Sequence, residues 1–169
     1  MFCEHIESNL DPTDLAILTA LRADGRQSVE RLSQSVHLSR PAVHERVRRL
    51  EARGVIRGYT ARVQWGAIGL PITAYISVRS EGGRSAATAE AIAKLTSPDA
   101  LVEEVHRITG EWCYFVKVRA ASAAALEHLI DDIRDLPSVG QTMTTMVLST
   151  IDPPLSNRVV QPLDVAQNL

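Results

Sequence analysis

The chain has 169 residues, of which 45% are hydrophobic and 22% charged, with a formal net charge of −2, which suits two small domains better than one large one. No run approaches the roughly 20 apolar residues of a membrane helix, and the first ten residues lack the apolar core of a signal peptide. Cys3 and Cys113 are too few and too far apart for a disulfide framework or a zinc site, so we expect a cytoplasmic protein without a metal or other cofactor.

Three helices are predicted in the first third of the chain. Asp11 and Pro12 form a typical helix start, and an apolar stripe of Leu15, Leu18 and Leu21 follows. Ser28 caps a short second helix, and Ser39 caps a third that Gly54 ends. The tight turn between the last two helices predicts a helix-turn-helix, in which the third helix would be the recognition helix.

The positive charge of the chain is concentrated around the recognition helix. Residues 1–63 carry a net charge of +2 and the remainder −4, and the seven arginines between Arg40 and Arg62 are opposed by only two glutamates. Such a local basic patch is typical of a DNA-binding surface. The predicted DNA-contacting residues are Ser28, Ser39, Arg40, His44, Glu45, Arg48, Arg49, Arg53 and Arg57.

Structural alternatives exist for several of these residues. The arginines could form a solvated helix face with pairs such as Glu45 and Arg49, which are four residues apart. His44 could pack at the flank of the helix instead of touching a base. Ser28 could act only as an N-cap, or also bind a phosphate.

A basic β-wing is predicted from Val55 to Val63, so that residues 1–63 would form a winged helix-turn-helix. Residues 64–71, with two glycines and a proline, are predicted as a linker. Residues 152–169 hold three prolines and no periodicity, which predicts an extended or disordered tail.

Residues 72–151 alternate between strand and helix patterns. Strands are predicted from residue 72 to 78, 101 to 108, 112 to 119 and 142 to 151, and helices over 86–95 and 121–136. The resulting order, βαββαβ, predicts a ferredoxin-like domain and an α+β chain overall. Helices would cover one face of the antiparallel sheet, and we expect the other to present a large apolar patch covered by a partner subunit.

These motifs resemble the feast/famine regulators, the Lrp/AsnC family of transcription factors. The resemblance covers roughly Leu10 to Ile151 and rests on Leu10–Asp14, on Glu45 to Tyr59, and on Thr109-Gly110-Glu111. It implies a DNA-binding transcriptional regulator whose second domain senses a small effector. It also implies a homodimer that assembles into a tetramer or octamer and reads two half-sites on double-stranded DNA.

The resemblance also implies that an amino acid binds between subunits near the glycine turn. The residues implicated are Thr109, Gly110, Glu111, Trp112 and Cys113, with Thr145 from the last strand. Backbone amides at Gly110 would hold a carboxylate and Glu111 an ammonium. Trp112 and Cys113 make this region less polar than is usual in the family, which favours an aromatic or branched amino acid.

Two alternatives to an effector-sensing regulator follow from the sequence. The first is a ferredoxin-like metabolic enzyme, although no P-loop, nucleophile elbow or zinc motif is present. Its only acid-base group would be Glu104 with His106, which share a strand face, whereas alternation places Glu103 on the opposite face. The second is an architectural DNA-binding protein that responds to no effector.

Overall fold

The structure, a computed structural model, describes residues 10–151. These residues form two compact units, one extending to Ala61 and the other spanning Arg62–Ile151. The predicted tail at 152–169 lies outside the described residues. No helix in the described part of the chain is both long enough and apolar enough to cross a bilayer.

The first unit is the predicted helix-turn-helix, made of α1 (Pro12–Ala23), α2 (Val29–Ser35) and α3 (Arg40–Ala52). Asp11, Ser28 and Ser39 cap these helices through their side chains, as predicted. One buried residue each from α1 and α2 packs with two from α3, and these four form the core: Ile17, Leu32, Val43 and Leu50. The core therefore fixes α3 through its apolar stripe.

The prediction of a β-wing after α3 was wrong. Residues 55–63 form no strand, and no other strand lies in the first unit of the described chain to pair with them. Val55 and Ile56 instead pack against the helical core, and the hydroxyl of Tyr59 donates to Glu51 Oε1 at 3.0 Å. A wing needs a second strand to satisfy its backbone groups, and this segment has none.

The second unit has the predicted βαββαβ order. A 3-10 helix (Trp65–Ile68) lies within the predicted linker and precedes β1 (Ile72–Ser80). The remaining elements are α4 (Ala86–Ala93), β2 (Ala100–Arg107), β3 (Tyr114–Ala120), α5 (Ala123–Arg134) and β4 (Val139–Met146). The strands form one antiparallel sheet in the order β2-β3-β1-β4, which confirms the ferredoxin-like prediction. The last strand begins three residues earlier than predicted and ends at Met146, not at residue 151.

The two helices of this unit cover one face of the sheet. Strand residues such as Ile76, Val78 and Val118 point towards Leu129 and Ile133 of α5 and form the second core. Cys113 and Tyr114 belong to the same core. Within β1 and β3, alternation sends the neighbours of the inward residues to the other face, which we call the open face.

The open face is less apolar than the sequence predicted. Tyr75 and Phe115 stack at its centre with ring centroids 4.9 Å apart, and Met143 is exposed. Charged and hydroxyl side chains occupy neighbouring positions of the same face: Thr73, Ser77, Lys117 and Arg119. Trp65, from the predicted linker, lies 4.9 Å from the guanidinium of Arg119, so the chain itself covers part of this face.

The placement of Glu103 opposite Glu104 was also wrong. The ladder between β2 and β3 shifts between Val102 and Glu104, so Glu103 is the extra residue of a β-bulge. The bulge turns both carboxylates towards the same side. Lys117 Nζ lies 3.4 Å from Glu103 and 3.1 Å from Glu104, and Arg119 Nε lies 2.6 Å from Glu103.

Candidate DNA-binding surface and effector site

Local signals in the sequence define both ends of α3, the recognition helix. At its start, the hydroxyl of Ser39 accepts from the Ala42 amide at 3.4 Å. At its end, Gly54 adopts a φ of +69°, which a residue without a side chain tolerates. The Gly54 amide donates to Glu51 O at 2.9 Å and the Val55 amide to Leu50 O at 2.9 Å, the pattern of a Schellman cap. The helix is therefore held rigidly at both ends.

Most of the predicted DNA-contacting side chains lie on the surface. Ser28, Ser39, Arg40, His44, Glu45, Arg48, Arg49 and Arg57 are exposed, and Arg53 is half-buried. The Ser28 hydroxyl accepts from the Arg31 amide at 3.2 Å, so it caps α2 whether or not it also contacts DNA. Arg40 forms an ion pair with Glu30 on the surface, where such pairs contribute little to stability. The contacts of all these residues with DNA remain predictions.

Arg49 differs from the other predicted contacts because it joins an ion-pair cluster with α1. We call this the Asp14 cluster, made of Asp11, Asp14, Arg46 and Arg49. Arg46 Nη1 lies 2.6 Å from Asp11 and 2.7 Å from Asp14, and Arg49 Nη2 lies 3.0 Å from Asp14. The hydrogen bond from Arg46 lowers the pKa of Asp11, and hydrogen bonds to Asp11 and Asp14 raise the pKa of Arg46. Asp11 and Arg46 therefore stay charged at neutral pH.

The sequence did not reveal this cluster. In the sequence, Asp14 indicates only the start of a helix. In the structure, it completes a capping box with Asp11. Its two arginine partners come from more than thirty residues away. The only sign of the cluster in the sequence was that Asp14, a charged residue, lies on the apolar face of α1.

The second candidate site is the turn between β2 and β3. Gly110 has a φ of +101°, which confirms that a glycine suits this position. The turn is closed by a hydrogen bond from the Ile108 amide to Cys113 O at 3.0 Å, and the Cys113 amide donates to Val78 O of β1 at 2.8 Å. Arg84 donates to the carbonyl oxygens of Ile108, at 2.7 Å, and of Gly110. The turn is thus fixed from two directions.

Two arginines that the sequence analysis missed reach this turn. Arg84 contacts its carbonyl groups, and Arg79 forms an ion pair with Glu111. The Arg79 guanidinium also lies 5.5 Å from the ring centre of Trp112. Neither arginine is adjacent to the turn in sequence, and pairing of β1 with β3 brings Arg79 there. Glu111 is therefore half of a salt bridge and not an isolated carboxylate.

Cys113 and Thr145 do not join this site within one chain. The thiol of Cys113 points into the core, where it lies 3.9 Å from Ser80 O, and only 6% of the residue is exposed. Cys113 therefore does not line the turn of its own chain, although it directly precedes β3 and strict alternation with the inward Tyr114 would place it on the open face. Thr145 pairs with Tyr75 in the middle of β1, whereas the turn adjoins the Val78 end.

The group formed by Glu104 and His106 belongs to the open face. His106 Nε2 lies 3.0 Å from Glu104 Oε2, and hydrogen bonds first from Lys117 and then from His106 lower the pKa of Glu104. Burial disfavours charge on Lys117, but the hydrogen bond to Glu104 and the charges of both glutamates raise its pKa. Between residues 10 and 151, no three metal-ligating side chains come together.

Comparison with known proteins assigns both units. Two protein-family models match: an AsnC-type helix-turn-helix domain over residues 10–51 and an Lrp/AsnC ligand binding domain over residues 73–155. The HTH-type transcriptional regulator LrpA of Mycobacterium tuberculosis is 37% identical over 145 residues, which cover 83% of this chain and 91% of that protein. The chain belongs to the Lrp/AsnC family.

Solved structures of Lrp/AsnC proteins agree with this assignment. LrpC of B. subtilis has a TM-score of 0.74 at 33% identity, covering 86% of this chain and 99% of that one. A feast or famine regulatory protein from M. tuberculosis, complexed with L-methionine, has a TM-score of 0.77 at 34% identity, covering 85% and 95%. This Lrp/AsnC chain is therefore a helix-turn-helix transcriptional regulator with a ligand-binding domain, as the sequence predicted.

Proposed function

We propose that this regulator reads an operator with α3 and adjusts its DNA binding or assembly when an apolar amino acid binds at the β2–β3 turn. The main support for this proposal is the arrangement of charged groups at the turn. Two groups of opposite charge meet there, Glu111 in the turn and Arg79 from β1; Glu111 is exposed and Arg79 half-buried, near Trp112. A relative of similar structure was solved with L-methionine, an amino acid with an apolar side chain.

The geometry of the turn suits the two charged groups of an amino acid. A guanidinium has five donors and a carboxylate about four acceptor positions, so the pair between Arg79 and Glu111 does not exhaust either group. The effector carboxylate would bind Arg79 or the amides near Gly110, and its ammonium would share Glu111. Trp112 would provide an apolar wall for the side chain.

DNA binding on this proposal uses a pair of recognition helices. Symmetric oligomers present the same surface twice, and two such helices read half-sites one helical turn or a multiple apart. We propose that the protein is a homodimer or a multiple of it, and that it acts inside the cell on cellular DNA. Light scattering at micromolar concentration should give at least twice the mass of the 18.5 kDa chain. A monodisperse monomer would contradict the dyad mechanism.

A thermal-shift screen of the common amino acids tests the effector. We expect stabilising compounds to be enriched in apolar side chains, and Glu111→Gln to weaken their effect because it removes the charge that faces the ammonium. Gly110→Asp should abolish the response by adding a side chain and a negative charge, while basal DNA binding persists. Stabilisation confined to acidic or basic amino acids would refute this view of the pocket. A complete lack of response would favour an architectural regulator without an effector.

A further inference from the structure

The Asp14 cluster contains a carboxylate that is fully removed from solvent. The side chain of Asp14 is 1% exposed, yet it lies at the first turn of α1 in the DNA-binding unit. Its Oδ1 accepts from Arg46 at 2.7 Å and from Arg49 at 3.1 Å, and its Oδ2 accepts from Arg49 at 3.0 Å. A buried carboxylate is tolerated only when it is paired and hydrogen-bonded. Both arginines are therefore needed as partners of the buried Asp14 carboxylate.

The arginines of the recognition helix fall on different sides of it. Arg46 and Arg49 are three residues apart and share the flank that faces α1, where Asp11 and Asp14 match their two charges. Arg48 is rotated by about 100° from Arg49 around the helix axis. Arg48 is exposed and forms no ion pair with any residue from 10 to 151.

We propose that Asp14 is a positioning residue that withholds Arg49 and Arg46 from the DNA backbone, so that Arg48 is the phosphate contact of this part of α3. The proposal rests on DNA binding by α3. The side chain of Arg49 is 47% exposed, but its Nη2 donates to both oxygens of Asp14. Moving this group to a phosphate would leave the buried carboxylate with one partner fewer, a cost that Arg48 does not incur. The sequence alone had placed Arg48 and Arg49 together as equivalent outward-facing cations.

The salt dependence of DNA binding distinguishes the two arginines. Each phosphate contact contributes about 0.9 to the slope of log affinity against log salt concentration. Wild type, Arg48→Gln and Arg49→Gln are compared on a duplex of random sequence, with circular dichroism to check folding. Arg48→Gln should lower the slope by about 0.9 for each bound chain, which makes the affinity loss between 50 and 200 mM salt about threefold smaller. Arg49→Gln should leave the slope unchanged, even where it lowers thermal stability.

Asp14→Asn supplies the second, independent measurement. This variant keeps the size of the side chain but removes the charge, so Arg49 becomes available to phosphate. A slope equal to or steeper than that of the wild type supports the proposal, and a shallower slope overturns it. An Arg49→Gln slope as low as that of Arg48→Gln also overturns it, whether or not Asp14→Asn folds. Wild-type protein that does not bind DNA at all would overturn both this assignment and the DNA-binding function.

Discussion

Replacing Gly110 by alanine tests whether the turn needs glycine because of its backbone conformation and not because of the space around it. Apart from Gly110 and its two chain neighbours, no heavy atom of the described residues lies within 4 Å of the position that a β-carbon would occupy, and the φ of Gly110 is +101°. The alanine methyl group therefore meets no obstacle, and the cost arises from the backbone conformation alone. Non-glycine residues held in sparsely populated backbone regions cost about 1–3 kcal/mol. We expect Gly110→Ala to lower the free energy of unfolding by this amount.

Tryptophan fluorescence measures this change in the relevant unit. The chain has two tryptophans, Trp65 and Trp112, and both lie in the unit Arg62–Ile151. For a domain of this size, each kcal/mol lowers the melting temperature by about 4–8 °C. Gly66→Ala is the matched control, because Gly66 also has open space around it but no positive φ. It should be neutral or stabilise by up to about 1 kcal/mol. Equal melting temperatures for Gly110→Ala and wild type would refute the conformational argument.

Two other changes test the helix start and the open face. Ser39→Ala removes the cap of the recognition helix and should cost about 0.5–2 kcal/mol of stability together with some DNA affinity. Ser39→Asp introduces another good cap and should restore the stability. Failure to restore it would contradict the capping role. The lowered pKa of Glu104 means that its ionised form stabilises the fold at neutral pH, and that this contribution is lost as the pH falls through the lowered value. Glu104→Gln should therefore be less stable than wild type near pH 7, and the difference should shrink as the pH falls below the ordinary pKa of a glutamate. A stability difference that does not change with pH would disprove the assignment.

The order and type of the elements could be predicted because their signals are local. Asp11, Ser28 and Ser39 mark helix starts within one turn of chain, and the alternation at residues 72–78 marks β1 without reference to any partner strand. The prediction failed where a structure depends on a distant neighbour. Residues 55–63 have the composition of a strand, but the described part of the first unit offers no strand to pair with them. The bulge at Glu103 exists only in the register between β2 and β3.

For the candidate sites, too, some features could be predicted from the sequence and others could not. The glycine turn and the basic helix could be found because their residues are contiguous. The partners that modify them could not, since Arg79 lies 32 residues from Glu111 and Asp14 lies 35 from Arg49. As a result, the sequence did not reveal that Glu111 and Arg49 pair with Arg79 and Asp14 in the fold.

The bulge at Glu103 has a consequence for how the open face could meet another molecule of the same chain. A two-fold symmetric interface places the same patch on both sides, so a patch with a net charge repels its own copy. By turning two consecutive acids to one side, the bulge matches Glu103 and Glu104 with Lys117 and Arg119 and makes this quartet electrically neutral. Deletion of Glu103 would restore a regular ladder but leave a surplus positive charge. The bulge in β2 thus removes a net charge that would repel a second copy of the same face.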